Sequence, residues 1–232
     1  MSDEIIAEEA CRLLFGGLFK SVADIPGFHG SYIEYLTPGV IVMTAISSAG
    51  WNGMSFIDDM HRGVMDRFLV SPVWRSALTV GSLVYGALTI AVQSLVIVGL
   101  GLALGAHFRN GVGGVVILIA VACLLGASFA ALSNALALVA RQRETLIGAV
   151  TATLLPLTFL SSAFMQPSLV PGWIREIARF NPVNWAAQAC RSVATGATDW
   201  RLVASRIGLL TALLLFSILL ATRAFRAYQR SL

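Results

Sequence analysis

Six formal charges lie in one segment of the chain, residues 58–78, between two long apolar stretches. Side chains of both signs in so short a segment offer ion pairs to a partner protein. At about 3 kcal/mol per charge, burial of all six at mid-bilayer would cost on the order of 15–20 kcal/mol. The segment is therefore expected outside the membrane. The charges belong to Asp58, Asp59, Arg62, Asp66, Arg67 and Arg75.

The same segment has the periodicity of a short amphipathic helix, with one apolar and one charged face, which Pro72 ends. Two interpretations remain open from the pattern alone. The helix is either an interfacial element that caps two spans, or a docking element for a soluble partner. The apolar positions are Met60, Val64, Met65, Phe68 and Leu69, and the charged ones are Asp59, Arg62 and Asp66.

Residues for catalysis are not arranged in any pattern that we recognise. A phosphate-binding loop needs glycines before a lysine, and the only lysine, Lys20, lies in "LLFGGLFKS" without that spacing. The sequence has no HExxH motif and no Cys/His cluster for a metal ion. We therefore expect no catalytic residue, no metal site and no cofactor bound by this chain. The histidines are His29, His61 and His107, and the cysteines are Cys11, Cys123 and Cys190.

Composition places these features in a membrane protein. Of 232 residues, 57% are hydrophobic and 12% are charged, about half the charged fraction of a soluble domain. Mean hydropathy is +0.80. Five apolar runs reach about 20 residues, the length that crosses the hydrocarbon core, and none shows strand alternation. We predict an all-α polytopic bundle of five to six spans. The runs are Thr37–Ile57, Leu78–Gly105, Gly113–Ala140, Thr145–Phe164 and Leu202–Thr222.

Several polar or amphipathic residues fall inside these spans and are candidates for a substrate pathway. Asn134 ends a stripe of small residues at i+4 spacing that contains Ala122, Gly126 and Ala130. Small residues let helices approach closely, so packing and a polar point along a pathway both remain open for this stripe. The candidate pathway residues from this pattern are Asn52, Gln93 and Asn134.

Three motifs, in order along roughly Ser31–Arg230, resemble the permeases of type-2 ABC exporters, and in particular their daunorubicin-resistance subgroup. "YIEYLTPG" is similar to the family's "YxxYLxPG", which leads into a span. "DDMHRGVMDRFLVSP" resembles its cytoplasmic coupling helix. "LLPLTFLSSAF", followed by an Asn-Pro pair, resembles a proline-containing span and an extracytoplasmic, partly re-entrant segment. The matches to the first motif are Tyr32, Tyr35, Leu36, Pro38 and Gly39.

The resemblance implies a function and partners. The chain would be the permease subunit of an ATP-driven exporter that moves hydrophobic or amphipathic compounds, such as drugs, lipids or glycolipids, out of the cell. ATP and magnesium would bind a separate ATPase subunit, and the permease would act as a homodimer or heterodimer. Multidrug efflux and antibiotic resistance fit this role. The residues implied in ATPase docking are Asp59, Arg62, Gly63, Asp66, Arg67, Ser71 and Pro72.

Two other functions are compatible with the composition. An ion-coupled secondary transporter would need an intramembrane charge and internal repeats, and the sequence shows neither. A non-transporting membrane scaffold would need neither an ATPase nor a pathway. Association with an ATPase separates the exporter from both.

The resemblance also implies a topology, in a multi-pass protein of a bacterial cell (inner) membrane. Residues 31–232 would form the transporter domain, with the coupling helix and the C-terminus cytoplasmic and the segment before Asn181-Pro182 outside. Eight arginines then lie on the cytoplasmic side and five on the other, as the positive-inside rule favours. Residues 1–30 are expected to hold a truncated first span or an interfacial helix at Cys11–Val22. The dimer seam would follow the first and fifth apolar runs, and Trp51, a fourth candidate pathway residue, would then lie with Asn52 near the substrate cavity between the two copies.

Overall fold

A computed structural model describes residues 32–62, 76–103, 105–106, 109–161, 172–194, 196 and 198–229. This part of the chain is helical and contains no strand, so the all-α prediction is confirmed for it. The N-terminal segment with Cys11–Val22 lies outside the described residues. The helices are α1 Tyr32–Gly50, α2 Gly53–His61, α3 Ser76–Ala103, α4 Gly111–Ala140, α5 Arg143–Phe159, α6 Gly172–Arg179, α7 Pro182–Ala194 and α8 Trp200–Gln229.

Helix α4 forms the centre of the bundle. It packs against α1, α2, α3, α5, α7 and α8, because small residues along one side admit close neighbours. Ala122, Gly126, Ala130 and Asn134 are all buried, which favours the packing interpretation of this stripe. A Cβ at Gly126 would lie 2.1 Å from the end of the Ile90 side chain of α3.

Four helices of the described part are long and apolar enough to cross a membrane. They agree with four of the five predicted runs, with α8 extending further in both directions. The remaining run, Thr145–Phe164, is the fourth along the chain and corresponds to α5, which has 17 residues and contains Pro156. Its end reaches residues outside the described part, so the crossing by α5 stays a prediction. The four are Leu36–His61, Val80–Ala103, Gly111–Ala140 and Trp200–Arg226.

An apolar cluster lies between four helices at one end of the bundle, which is here called the Asp58 end. It joins the end of α2, the end of α4, the start of α5 and the end of α8. The end of α8 thus lies with the charged end of α2, as the predicted topology requires of the C-terminus and the coupling segment. The buried members are Phe56, Ile57, Ala137, Leu138, Leu146, Val150 and Phe225.

Helix α7 is a 13-residue element that packs against α1, α4 and α8. Pro182 occupies its first position, where a missing N–H costs nothing, and α6 ends at Arg179. The prediction that Asn181-Pro182 terminates the preceding helix is confirmed. The sequence interpretation did not include α7 itself, whose Val183, Ala186 and Cys190 join the core.

Candidate functional site: a broken span and its cavity

The first span changes geometry between α1 and α2, at Trp51 and Asn52, here called the α1–α2 break. Asn52 N donates to Ala49 O at 3.1 Å, and Met54 N donates to Trp51 O at 3.0 Å. Both bonds join residues three apart, as in a 3₁₀ turn rather than an α-helix. The tighter turn leaves the backbone groups on either side of it in need of other partners.

Ser133 of α4 supplies those partners. Its hydroxyl donates to Gly50 O at 2.6 Å and accepts from Gly53 N at 3.0 Å. An unpaired backbone group at membrane depth costs several kcal/mol, so this one side chain stabilises the break at both ends.

Gly53 is the residue that permits this approach. A Cβ at this position would lie 2.4 Å from the carbonyl oxygen of Ser133, a distance that only displacement of α2 from α4 could relieve. The close contact explains a glycine immediately after the break.

Asn52, Ser82 and Asn134 form a polar junction of three helices beside the break. Asn52 Nδ2 donates to Ser82 Oγ at 2.7 Å and to Asn134 Oδ1 at 3.2 Å. Asn134 Nδ2 also donates to Ser82 Oγ, at 3.1 Å. Asn134 is fully buried, so two of the four predicted pathway residues meet, but only Asn52 lies near a surface.

Gln93, a third predicted pathway residue, forms a separate contact further along the same helix pair. Ser48 Oγ of α1 donates to Gln93 Oε1 of α3 at 2.8 Å. Together with the junction at Asn52, this bond joins α1 to α3 through polar side chains, which hold helices together in lipid.

A cavity of about 230 Å³ opens beside the break, between α1–α2 and α3. Trp51 and Tyr85 are 43% and 70% exposed and give the cavity two aromatic surfaces, while the Asn52 amide gives it a polar one. Such a mixture suits an amphipathic ligand. Gln93 and Asn134 are not among its lining residues, which are Ser48, Ala49, Trp51, Asn52, Ser55, Tyr85, Gly86, Thr89 and Ile90.

The Asp58 end presents charge on the same helix that lines the cavity. Asp59 and Arg62 are exposed, whereas Asp58 forms an ion pair with Arg143 in the first turn of α5. Met60 packs against the cluster of this end, so its side chain belongs to the bundle. The other residues implied in docking lie outside the described part of the chain: Gly63, Asp66, Arg67, Ser71 and Pro72.

The family profile of ABC-2 type transporters matches residues 4–195, most of the chain. The chain belongs to the ABC-2 type transporter family. This confirms the resemblance inferred from the three motifs. Across the described part of this ABC-2 chain, no group of three or more His, Cys, Asp or Glu residues is arranged to hold a metal ion.

Curated relatives of this ABC-2 chain are permeases. The daunorubicin resistance ABC transporter permease protein DrrB1 of Streptomyces coeruleorubidus is 35% identical over 79% of this chain and 62% of its own length. The probable doxorubicin resistance permease DrrC of Mycobacterium tuberculosis is 27% identical over 72% and 60%. The inner membrane transport permease YadH of Escherichia coli K12 is 28% identical over 82% and 73%. The chain thus spans about three fifths of the length of the first two relatives.

Sequence reasoning about this ABC-2 chain missed the serines of the site. Ser82 and Ser133 hold the junction and the break, and serines are common in membrane helices, so neither stood out. The available signal was the "GWNG" run, in which Gly50 and Gly53 flank two large residues inside a span. Glycines so placed weaken an α-helix and mark a site of close approach.

Asn181, at the Asn-Pro pair, contacts two other helices. Its Nδ2 donates to Leu157 O at 2.7 Å and to Leu160 O at 3.2 Å, both at the end of α5. Its Oδ1 accepts from Val183 N at 2.9 Å, which caps α7. One side chain thus joins the last turn of α5 to the first turn of α7.

Two further side chains of the "NPVNW" run, Asn184 and Trp185, donate hydrogen bonds to backbone carbonyl groups at the end of α6. Asn184 Nδ2 donates to Ala178 O at 2.7 Å, and Trp185 Nε1 donates to Arg179 O at 2.6 Å. Carbonyl groups at a helix end have no intrahelical partner. Trp173 and Ile177 of α6 remain exposed, as expected of an interfacial helix.

Proposed function

We propose that this chain is the membrane subunit of an ATP-driven exporter of hydrophobic or amphipathic compounds, with ATP hydrolysis in a separate subunit. The observation that carries the proposal is that the first span contains both the residues that line the cavity and the exposed charges expected to contact the ATPase. Its break lines a cavity with Trp51 and Asn52, and its end presents the exposed Asp59 and Arg62. Movement at the docking end is therefore transmitted directly to the cavity.

The proposed cargo follows from the cavity and from the relatives. Two aromatic side chains and one amide suit a molecule with apolar faces and a few polar groups. Two relatives are named for resistance to daunorubicin and doxorubicin. Trp51 and Asn52 would contact the exported compound. Gln93 would stabilise the packing of α1 against α3, and Asn134 would orient Asn52 from the interior of the bundle.

A second copy of the chain would complete the cavity. Along α1 and α2, Ser47, Trp51 and Ser55 form an exposed line at i+4 spacing. Ser48 and Asn52 on one side of this line bond α3 or α4, and Gly50 on the other packs against α5. The line is therefore the floor of a groove between α3 and α5.

Helix α5 carries exposed polar side chains as well. Thr145, Thr151 and Thr153 are exposed on different sides of it, and hydroxyl groups gain nothing from lipid tails. The resemblance implies a seam along the first and fifth runs, which correspond to α1 and α8. We propose a seam along α1 and α5 instead, because the groove that holds the exposed line lies between α3 and α5.

The proposed topology places the Asp58 end in the cytoplasm and α6 and α7 at the outer surface. Helix α7 has 13 residues, about 20 Å of helix, and is too short for the roughly 30 Å hydrocarbon core. It is proposed to re-enter the bundle from outside. The cytoplasmic side then carries Arg141, Arg143, Arg223 and Arg226 near span ends, in line with the positive-inside rule.

Secondary transport is the competing function, and the described spans do not favour it. No aspartate or glutamate lies between Val80 and Ala103, between Gly111 and Ala140 or between Trp200 and Arg226, and those of Leu36–His61, Asp58 and Asp59, lie in its last turn. A proton- or sodium-coupled carrier usually keeps an acidic residue at mid-membrane.

Co-purification with the ATPase tests the proposal. Arg62→Glu combined with Asp66→Lys should abolish ATPase association and transport, because it reverses charges on the docking face, and should leave membrane insertion intact. Asp58→Asn is the matched control, since Asp58 pairs with Arg143 of the same chain. Normal ATPase binding by the double variant contradicts the docking role.

A further inference from the structure

The hydroxyl of Ser133 replaces backbone bonds of another helix. In a continuous α-helix Gly53 N would donate to Ala49 O, and Met54 N would donate to Gly50 O. At the α1–α2 break Ala49 O accepts from Asn52 N, three positions later. The Ser133 hydroxyl accepts from Gly53 N and donates to Gly50 O. The Ser133 hydroxyl thus replaces one backbone acceptor and one backbone donor of the first span.

We propose that Ser133 is a positioning residue for export: it holds the first span in its broken form, and the transport cycle alternates between this form and a continuous helix. In the continuous form Gly53 N and Gly50 O find partners in their own span. The Ser133 hydroxyl then donates to Phe129 O, four residues back in α4, as serine commonly does in helices. Each of these groups has a partner in both forms, which an apolar interior demands of a switching element.

The exchange would connect the docking end with the cavity. A 3₁₀ helix has 3.0 residues per turn and an α-helix 3.6, so each residue that changes geometry rotates the rest of the helix by about 20°. A rotation that starts at Asp59 and Arg62 would turn Asn52 away from Ser82 and Asn134. The inference rests on the proposed function, because it concerns how ATPase movement reaches the cavity.

A second buried serine in α4 provides a matched control. Ser128 is fully buried, and its hydroxyl donates to Leu124 O of its own helix at 2.8 Å. Its removal leaves no group of another helix unpaired. Ser128→Ala and Ser133→Ala delete the same hydroxyl from the same helix, but only the second deletes the support of the break.

The first test measures coupling in vesicles that contain the chain and its ATPase. Ser133→Ala should keep ATPase association and hydrolysis but raise the ATP consumed per molecule exported by about tenfold or more, the effect of two lost hydrogen bonds of ordinary strength. Ser128→Ala should keep the wild-type ratio, and Ser133→Thr, which retains a hydroxyl, should restore it.

Three results overturn the proposal. The first is an unchanged ratio of ATP consumed to molecules exported in Ser133→Ala, and the second is the same altered ratio in Ser133→Ala and Ser133→Thr. The third is a loss of both ATPase association and stability in Ser133→Ala, which indicates a purely structural role. Failure of the wild-type chain to bind any ATPase is a different result, and it contradicts the proposed function instead.

A second measurement does not depend on a Ser133 variant. Spin labels at Ser55 and Val139 report on the span beyond the break, and labels at Ser47 and Val116 report on the span before it. All four positions are exposed in the single chain, and the labelled chains must retain ATP-driven export because Ser47 and Ser55 lie at the proposed groove. Dilution with unlabelled chains isolates distances within one copy. With the ATPase bound, ATP should shift the Ser55–Val139 distance by several ångströms and leave the Ser47–Val116 distance unchanged. Equal shifts, or none, overturn the proposal.

Discussion

Asn52 and Asn134 are 82 positions apart in the sequence, and their side-chain amides are hydrogen-bonded at 3.2 Å with Ser82 as a shared acceptor. Only Asn52 lines the cavity. The pair therefore separates two roles that a lone polar residue in a span could have. One asparagine faces the cavity, and the other fixes its orientation from the interior.

This arrangement predicts different effects for two similar substitutions. Asn52→Leu should change which compounds are exported, because it replaces the polar surface of the cavity with an apolar one. Asn134→Leu should keep the order of preference among compounds, because Ser82 still holds the Asn52 amide at the cavity through the shorter bond. Each should lower the free energy of unfolding by about 1–3 kcal/mol, since each leaves hydrogen-bonding groups without a partner.

Transport assays with a panel of compounds of graded polarity, together with thermal unfolding in detergent, measure both effects. Identical preference profiles for Asn52→Leu and the wild type contradict a place for Asn52 in the pathway.

The contact between Gly53 and Ser133 predicts strong sensitivity at one glycine. Gly53→Ala should destabilise the protein by about 1–3 kcal/mol, because the new methyl group meets the backbone of α4. Gly81→Ala is the matched control: nothing lies within 4 Å of its added Cβ. In the interior of α3 that alanine should be neutral or stabilising by up to about 1 kcal/mol. Thermal unfolding of the two variants should move in opposite directions or at least differ clearly, and equal losses contradict the close contact.

The contacts of Asn181 predict that its amide matters beyond helix capping. Asn181→Ala removes the cap of α7 and two donations to α5, so we expect a loss of about 2–3 kcal/mol. Asn181→Asp keeps an acceptor for Val183 N but places a carboxylate beside two carbonyl oxygens. It should therefore fail to restore stability. Recovery to the wild-type unfolding midpoint in Asn181→Asp shows that the cap alone matters.

Phe225 belongs to the same apolar cluster as Phe56 and Ile57, which predicts that the C-terminus and the docking segment share a side of the membrane. A reporter fused after Leu232 and a single cysteine at Asp59, in a background without native cysteines, should both report the cytoplasm. A reporter active only outside the cytoplasm contradicts the proposed orientation. Opposite sides for the two positions contradict the packing itself.

The spans and the polar points inside them could be predicted from the sequence, whereas their contacts could not. An apolar run of about 20 residues has few alternatives in a bilayer, and asparagine in such a run stands out by composition. Which serine meets Asn52 depends on the rotation of three helices about their axes, which hydropathy does not encode.

Helix α7 was missed for a different reason. Its 13 residues include Asn184, Gln188 and Arg191, so its composition is typical of a loop. Its burial follows from the small residues Ala186 and Ala189, which let it lie against its neighbours. The local signal for its start was present as the Asn-Pro pair, a capping residue followed by a proline at the first helical position.

ATP-dependent transport in inverted membrane vesicles tests the central claim most directly. Vesicles that contain this chain and its ATPase should accumulate a fluorescent amphipathic compound when ATP is added, and a non-hydrolysable analogue should not support accumulation. The Arg62→Glu, Asp66→Lys variant should remain at the level of vesicles without the chain. Accumulation driven by an ion gradient without ATP, or ATP-driven accumulation that is the same with and without this chain, contradicts its role as the membrane subunit of an exporter.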